Sequence, residues 1–181
     1  MLAIIMRKNT IILILTLIIG LLLQFSCKQN QSKNDLIFWS KNVKIKRSDF
    51  QSAINKNSDA NMYYYHGFKL YDENSENPYV KSFFDRRKSW IKSKTTDENF
   101  EEEMKLQKIR FDLIESFARK FNQEIKKLKQ QNNYSKKNIT NIGDSIYNEY
   151  RKIERGIYND YSKNRKELIE YWRPKVDSML K

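Results

Sequence analysis

The stretch KLQKIRFDLIESFARKF, from Lys105 to Phe121, decides the fold because its apolar residues recur at helical spacing in two adjacent stripes. The first stripe contains Met104, Phe111, Ile114, Ala118, Phe121, Ile125 and Leu128, and the second contains Leu106, Ile109, Leu113 and Phe117. A helix with so wide an apolar arc must be covered on more than one side. The stretch therefore predicts a long helix inside a folded domain.

This helix is expected to begin near Thr95, because Thr95 and Glu98 have the spacing of a capping box. The polar residues 130–138 interrupt the pattern, and a second long helix is expected from about Thr140, with a kink or interruption at Pro174. The apolar stripe of this second helix contains Ile146, Tyr150, Ile153, Ile157, Tyr161, Leu168, Trp172 and Val176.

The residues before the first helix form short runs of β type, separated by polar turns. These runs are 36–39, 42–46, 62–71 and 79–84. Val43 and Ile45 alternate with lysines, as the residues of a half-buried strand do. Together with the helices, the runs predict an α+β fold in which a small N-terminal antiparallel sheet packs on two long C-terminal helices.

The first 27 residues have the layout of an export signal. Arg7 and Lys8 precede the apolar run at 11–23, and the only cysteine of the chain, Cys27, follows the small residue Ser26. The apolar run is shorter than the roughly 18 residues of a membrane-spanning helix. Residues 1–27 are therefore predicted to be a lipoprotein signal peptide, with lipid attached to the Cys27 thiol after cleavage.

Two alternatives to this signal remain open. Gln24 and Phe25 stand where lipoprotein signals more often have small or aliphatic residues, so an uncleaved anchor or a plain secretory signal is the alternative. The chain also has a second possible start, because Met6 opens the more conventional signal MRKNTIILIL. Each alternative leads to the same compartment.

After Cys27, residues 28–35 form a polar tether, and residues 36–181 form one domain. With Cys27 carrying lipid, this domain has no disulfide and depends on its core for stability. No acidic cluster follows Cys27, which by resemblance to lipoprotein sorting signals favours the outer membrane, facing the periplasm. Attachment to the inner membrane remains an alternative.

The chain has 35 basic and 22 acidic residues, and loss of Arg7 and Lys8 with the signal lowers its net charge from +13 to +11. Such an excess suits anionic lipid headgroups or lipopolysaccharide phosphates. The basic residues are dispersed among acidic ones, with no nucleic-acid-binding motif, so no nucleic acid partner is expected. A solvated basic surface is the simpler interpretation.

The residue types available also limit the possible chemistry. The chain has a single histidine, and its single cysteine is predicted to carry lipid. Neither a Ser-His-Asp nor a Cys-His arrangement is therefore possible. His66 is expected to be a strand residue beside aromatic rings, and the acidic run at 101–103 to be the first turn of the long helix. No calcium-loop spacing is present, although a site made of carboxylates alone remains open. No cofactor is expected.

Four segments, in order, resemble a family of bacterial zinc-dependent proteases of the short-HExxH type that occurs in Bacteroidetes lipoproteins. These segments are FWSKNVKIKRSDFQ at 38–51, SFFDRRKSWIK at 82–92, FDLIESFARK at 111–120 and YNDYSKNRKELIEYW at 158–172. They span nearly the whole chain after Cys27. The resemblance implies an α+β protease scaffold whose metal helix is the stretch quoted first.

The chain departs from this family at every histidine that the resemblance requires. In the family, His-Glu-x-x-His holds zinc because the two histidines project from one helix face. Here Leu106, Gln107 and Arg110 occupy these positions, while Glu115 is retained at a carboxylate position of the motif. Asn164 stands where the family often has a later histidine. The resemblance therefore implies a degenerate, metal-free member without catalytic residues.

The expected function is a binding or structural role for this membrane-anchored, non-catalytic relative. Its ligand, a peptide, a protein or an anionic envelope component, would lie in a groove lined by Gln107, Arg110 and Glu115. Arg110 is expected to bind an anion or, more simply, to pair with an acidic neighbour, and Leu106 is expected to be buried. The alternatives are an active hydrolase with an atypical site and a protein that binds anionic lipid, lipopolysaccharide or peptidoglycan.

Overall fold

The structure is a computed structural model that describes residues 35–73, 75, 77–159 and 163–181. Residues 35–181 form one compact unit. The predicted signal peptide at 1–27, Cys27 and most of the tether at 28–35 lie outside the described residues, as does Tyr161. Lipid attachment at Cys27 therefore stays a prediction.

Two small antiparallel sheets occupy the N-terminal part. Strands β1 (Leu36–Phe38), β3 (His66–Tyr71) and β4 (Tyr79–Asp85) form the larger sheet, in the order β1-β4-β3. Strands β2 (Met62–Tyr63) and β5 (Trp90–Ile91) form a separate pair. Three helices follow these strands, two of them long, so the predicted α+β fold is confirmed.

Side chains along β4 alternate between two environments, as the pleat of a strand requires. Val80, Ser82 and Phe84 are buried toward the helices, whereas Tyr79 is half-buried and Lys81 is exposed on the opposite face. The larger sheet therefore contributes one face to the core and presents the other to solvent.

The prediction of a strand at 42–46 is wrong. This segment has no ladder partner and leads into a 3-10 turn at Arg47–Asp49. Val43 and Ile45 nevertheless pack half-buried against the core. Their alternation indicated burial on one side, which an extended segment without hydrogen-bonded neighbours also produces.

The run at 62–71 is two strands, not one. Met62 and Tyr63 pair with β5, whereas the residues from His66 onward pair with β4. The chain changes sheets between them, at Tyr64 and Tyr65, where neither residue belongs to a strand. The aromatic residues continue through the two positions where the chain leaves one sheet for the other. The sequence pattern therefore did not indicate that the run is two strands.

Helix α1 runs over Asp97–Gln130 and carries the stretch that decided the fold. Its N-cap is Thr96, whose hydroxyl accepts a hydrogen bond from the Asn99 amide at 3.2 Å. The predicted capping box of Thr95 and Glu98 is therefore wrong by one residue. The two apolar stripes of α1 are buried because β4 covers one side and the two later helices cover the other.

The second long helix of the prediction is two helices, α2 (Lys136–Tyr158) and α3 (Arg165–Met179). Asn159 is the C-cap of α2, and Asn164 is the N-cap of α3, with a capping box in which the Glu167 side chain bonds back to the Asn164 backbone. The apolar spacing in the sequence continues through this break because both helices pack their apolar residues against α1. Pro174 lies inside α3.

In the described part of the chain, no helix has the length and apolar character needed to cross a membrane.

Candidate functional site

Leu106, at the first histidine position of the resembled motif, belongs to the hydrophobic core. It lies on α1 and is 4% exposed. Leu106 and Gln107 also form part of the wall of a pocket of about 650 Å³, beside the acidic residues Glu102 and Glu103. The predicted burial of Leu106 is confirmed, because only 4% of the residue is exposed.

Arg110, at the second histidine position, pairs with a carboxylate of another helix. Its Nη2 donates to Glu154 Oε1 at 2.6 Å, and its Nη1 donates to the side-chain oxygen of Gln107. The guanidinium carbon also lies 4.0 Å from the centre of the Tyr158 ring, within the range of a cation–π contact. Of the two roles expected for Arg110, pairing with an acidic neighbour is the one found.

Gln107 connects this ion pair to a second one. Its amide oxygen accepts from Arg110, while its Nε2 donates to Glu103 Oε1 at 2.6 Å. Glu103 in turn forms an ion pair with Arg165 of α3. A glutamine suits this position because its amide donates on one side and accepts on the other.

Glu154 also accepts a hydrogen bond from Tyr150, which lies beside the only histidine. The Tyr150 hydroxyl donates its single hydrogen to Glu154 Oε1 at 2.6 Å. The Tyr150 oxygen lies 2.7 Å from His66 Nε2. With the hydroxyl hydrogen directed to Glu154, the Tyr150 oxygen can accept from His66 Nε2, while His66 Nδ1 lies 3.4 Å from the Tyr64 carbonyl oxygen.

We call His66, Gln107, Arg110, Tyr150 and Glu154 the buried polar cluster. Burial lowers the pKa of His66 below its ordinary value of 6.5, and the positive charge of Arg110 lowers it further. Burial by itself raises the pKa of Glu154, but the hydrogen bond from His66 and the charge of Arg110 outweigh it and hold this pKa well below its ordinary value. At neutral pH the cluster contains a neutral imidazole between oppositely charged partners.

The buried polar cluster stabilises the packing of α1, α2 and β3, and it is closed to a substrate. The side chains of His66 and Glu154 are each 2% exposed. A general base must come within hydrogen-bond reach of the substrate proton that it removes. The cluster therefore lends no support to the atypical hydrolase.

The expected groove lined by Gln107, Arg110 and Glu115 is not found. Glu115 accepts from Ser82 Oγ at 2.6 Å and from Arg119 Nε at 2.9 Å, so it joins α1 to the sheet. Arg110 and Glu115 are five residues apart, which places them roughly 140° apart around the helix at 3.6 residues per turn. Asn164, the fifth degenerate position, caps α3.

The residues at the motif positions do not fit zinc. Leucine has no lone pair to donate, and the guanidinium of Arg110 is a permanent cation that already pairs with Glu154. Among the described residues, no three His, Cys, Asp or Glu side chains are grouped as a metal site would require.

A concave surface larger than the pocket beside Leu106 lies elsewhere on α1. A groove of about 1070 Å³ runs between α1, α3 and the extended segment 41–47, and we call it the basic groove. Its apolar lining includes Val43, Ile45, Phe100, Met104, Ile109 and Ile169. Seven basic side chains and two acidic ones also line it. The basic groove was not predicted, because 42–46 was expected to be a strand.

The basic side chains of this groove differ in their partners. Lys108 and Arg173 both bond to the buried carboxylate of Asp112, at 2.6 and 2.7 Å. Lys41 and Lys105 form no ion pair with any described residue. The groove therefore combines an apolar floor with uncompensated positive charge.

Tyr64 lines both the basic groove and the pocket beside Leu106, and its hydroxyl has no partner among the described residues. The residue is 5% exposed, and its hydroxyl oxygen makes no hydrogen bond to the described residues. Burial raises the pKa of Tyr64, so the hydroxyl stays protonated. A buried hydroxyl without a bond is unfavourable by roughly 1–3 kcal/mol.

No protein-family model, curated protein or solved structure matches this chain. The resemblance to the zinc-dependent proteases therefore stays a prediction based on the four quoted segments and on the positions of Leu106, Gln107 and Arg110.

Proposed function

We propose that this protein is a metal-free, non-catalytic binding protein that holds an anionic amphiphile in its basic groove. In this proposal, lipid on Cys27 anchors the chain to the outer membrane on the periplasmic side, and the fold descends from a zinc-dependent protease that has lost its metal. The basic groove carries the proposal.

The loss of catalysis is supported by the use that the fold makes of the three motif positions. Leu106 packs in the core, Gln107 bridges two charged groups, and Arg110 pairs with Glu154. A histidine or a glutamate at these positions would not make the same apolar contact, amide hydrogen bonds or ion pair. These positions therefore support the fold instead of a metal.

The ligand class follows from the chemistry of the basic groove. Its apolar floor favours a hydrocarbon segment at about 0.8 kcal/mol per buried methylene group. Lys41 and Lys105 favour a negatively charged head. A small hydrophilic anion would leave the floor uncovered, whereas a neutral hydrocarbon would leave the lysines without a partner.

Calorimetric titration of residues 35–181 with octyl phosphate tests this proposal, because this soluble probe combines both features. Octanol and inorganic phosphate serve as the matched controls, each with one feature missing. We expect octyl phosphate to bind at least about tenfold more tightly than either control, since a desolvated charged contact and several methylene groups each contribute more than 1.4 kcal/mol.

Two variants assign the binding to the groove. Lys105→Gln removes a groove charge, and Lys166→Gln removes a comparably exposed charge of α3 outside the groove. Only the first should weaken octyl phosphate binding, by roughly fivefold for one exposed charge pair. Equal binding of octyl phosphate and octanol, or equal effects of the two variants, would refute the groove as the ligand site.

The anchor is tested separately. Cys27→Ala should release the protein from the membrane fraction, because the apolar run at 11–23 is too short to serve as a permanent anchor. If the variant stayed tightly in the membrane fraction, the lipid anchor would be wrong, while the result with octyl phosphate would stand.

A further inference from the structure

The larger sheet has one face that no described helix covers, and we call it the outer sheet face. It consists of Phe38, Lys69, Tyr71, Tyr79, Lys81 and Phe83. These residues lie in register across β1, β4 and β3 and alternate with the buried residues of the same strands. Phe38 is 38% exposed, and both lysines are exposed.

The rings of the outer sheet face form a continuous row with lysines above it. Phe38 and Tyr71 meet edge to face at 6.0 Å between centroids, and Tyr71 stacks on Tyr79 at 5.5 Å. Lys81 Nζ lies 5.4 Å from the Phe38 centroid and 5.1 Å from that of Tyr79, while Lys69 Nζ lies 5.5 Å from that of Tyr71. The lysine stems thus cover the rings, and their ammonium groups remain at the surface.

The charge of the outer sheet face is uncompensated. Lys69 and Lys81 are direct cross-strand neighbours, and like charges in this position destabilise a sheet. Neither lysine forms an ion pair with a described residue, and Asp85, the acidic residue that continues this side of β4 beyond Phe83, is buried and pairs with Lys88. An anionic surface outside the protein would remove this repulsion.

The position of the face in the chain brings it close to the predicted lipid anchor. Strand β1, an edge strand of this sheet, begins at Leu36, and the tether from Cys27 extends by at most about 3.3–3.6 Å per residue. A lipid on Cys27 therefore keeps β1 within roughly 30 Å of the bilayer surface.

We infer that the outer sheet face lies on a bilayer containing anionic lipid, with Lys69 and Lys81 at the headgroup phosphates and the rings at the interface. Aromatic rings favour the membrane–water interface, and lysines extend along apolar surface toward the headgroups. Two lysines near an anionic surface favour docking by on the order of tenfold or more. This inference rests on the anchor of the proposed function and is independent of the basic groove.

The test uses the full chain, purified from membranes and reconstituted into vesicles of phosphatidylcholine with or without phosphatidylglycerol. Amine acetylation, read by mass spectrometry, reports the accessibility of each lysine. We expect Lys69 and Lys81 to react several-fold more slowly on the vesicles with phosphatidylglycerol, while Lys166 of α3 reacts equally on both. Equal reactivity of Lys69 and Lys81 on the two vesicle types would overturn the inference.

A matched pair of variants shows whether the lysines cause the docking. In Lys69→Gln/Lys81→Gln, hydrogen exchange of the β1 amides on anionic vesicles should rise to the rate seen on neutral vesicles. In the control Lys152→Gln/Lys166→Gln, which removes two exposed charges from α2 and α3, exchange should stay slow. Slow exchange in the first variant would overturn the inference.

Two further outcomes separate the possible explanations. If the protein did not co-migrate with neutral vesicles in a flotation gradient, the lipid anchor would be refuted. The acetylation rates of Lys69 and Lys81 on anionic vesicles would still show whether this face contacts the bilayer. Protection of Lys69 and Lys81 by a soluble anionic polysaccharide, but not by phosphatidylglycerol vesicles, would overturn the lipid as partner and assign the face to a glycan.

Discussion

Arg110 of α1 and Glu154 of α2 form an ion pair of 2.6 Å in which only 5% and 2% of the two side chains are exposed. Burial of two charges is unfavourable unless each is well paired and hydrogen-bonded. Here the two charges are paired, Arg110 also bonds to Gln107, and Glu154 also accepts from Tyr150, while Arg110 Nε has no partner among the described residues. A position that holds a zinc ligand in the resembled proteases thus joins two helices of this core.

Removal of one partner of this pair should destabilise the protein strongly. Glu154→Gln keeps the shape of the side chain but leaves the Arg110 charge buried without a counter-charge, so we expect a loss of about 3–5 kcal/mol in unfolding free energy. Urea titration followed by circular dichroism measures this loss. The control Glu149→Gln, which breaks a half-exposed pair with Lys120, should change stability by less than ~1 kcal/mol. Similar losses in both variants would contradict a structural role for the buried pair.

His66 should stay neutral below pH 6.5, because burial and the nearby Arg110 charge lower its pKa. As His66 is the only histidine, its ring resonances in an NMR pH titration report this group without overlap. An ordinary pKa near 6.5 would show that the ring is hydrated and that the buried polar cluster is wrongly described.

The same lowered pKa gives a pH dependence of stability. Below pH 6.5 the unfolded chain binds a proton at His66 that the folded chain does not bind, so stability is complete above this pH and falls as the solution is acidified. The lowered pKa of Glu154 has the same sign and adds a second loss below about pH 4.5. His66→Gln should remove the loss between pH 6.5 and 5. Urea titrations across this range test it, and an unchanged profile in the variant would assign the loss to other groups.

Gln107→Glu, which restores the glutamate of the protease motif, should destabilise the fold at neutral pH. The new carboxylate would face Glu103, which now accepts a hydrogen bond from Gln107 Nε2 at 2.6 Å. Two neighbouring carboxylates disfavour each other's charge, so the loss should shrink as the solution is acidified and one of them binds a proton. Thermal melts of the variant and the parent at pH 7 and pH 5 measure the difference. A loss of the same size at both pH values would show that charge repulsion is not its cause.

Leu106→Ala should lower the unfolding free energy by about 2–5 kcal/mol, as for buried leucines in general. The control Ile54→Ala truncates an apolar side chain that is 40% exposed in a loop, and it should cost less than ~1 kcal/mol. Denaturant titration of both variants provides the comparison. A near-neutral Leu106→Ala would instead indicate that the pocket beside Leu106 is open and available to a ligand.

The sequence predicted those parts of the fold that depend on periodicity. The two stripes of α1, including Leu106 and Phe117, are buried as expected, because a helix covered on two sides requires both. The break between α2 and α3 was missed because both helices bury their stripes on the same partner. A local signal did exist, since Asn164 and Glu167 have the spacing of a capping box.

The contacts of Leu106, Gln107 and Arg110 depend on which distant residues pack against them. A single sequence does not contain this information directly. The burial of Leu106 followed from its stripe, and the pairing of Arg110 with an acid was expected. Nothing in the sequence selected Glu154 from the 22 acidic residues. Its spacing of four residues from Tyr150, which lies in the apolar stripe of α2, was the available signal that it shares the buried face.

We infer that Leu106, Gln107 and Arg110 are structural residues and that no zinc holds the fold together. Thermal unfolding of residues 35–181, recorded in excess EDTA and in excess zinc chloride, tests this claim most directly. We predict the same melting temperature in both solutions, because the charged groups at the motif positions are already paired with protein partners. A marked decrease in EDTA that zinc reverses would contradict the account, since a metal that binds only the folded state raises its stability.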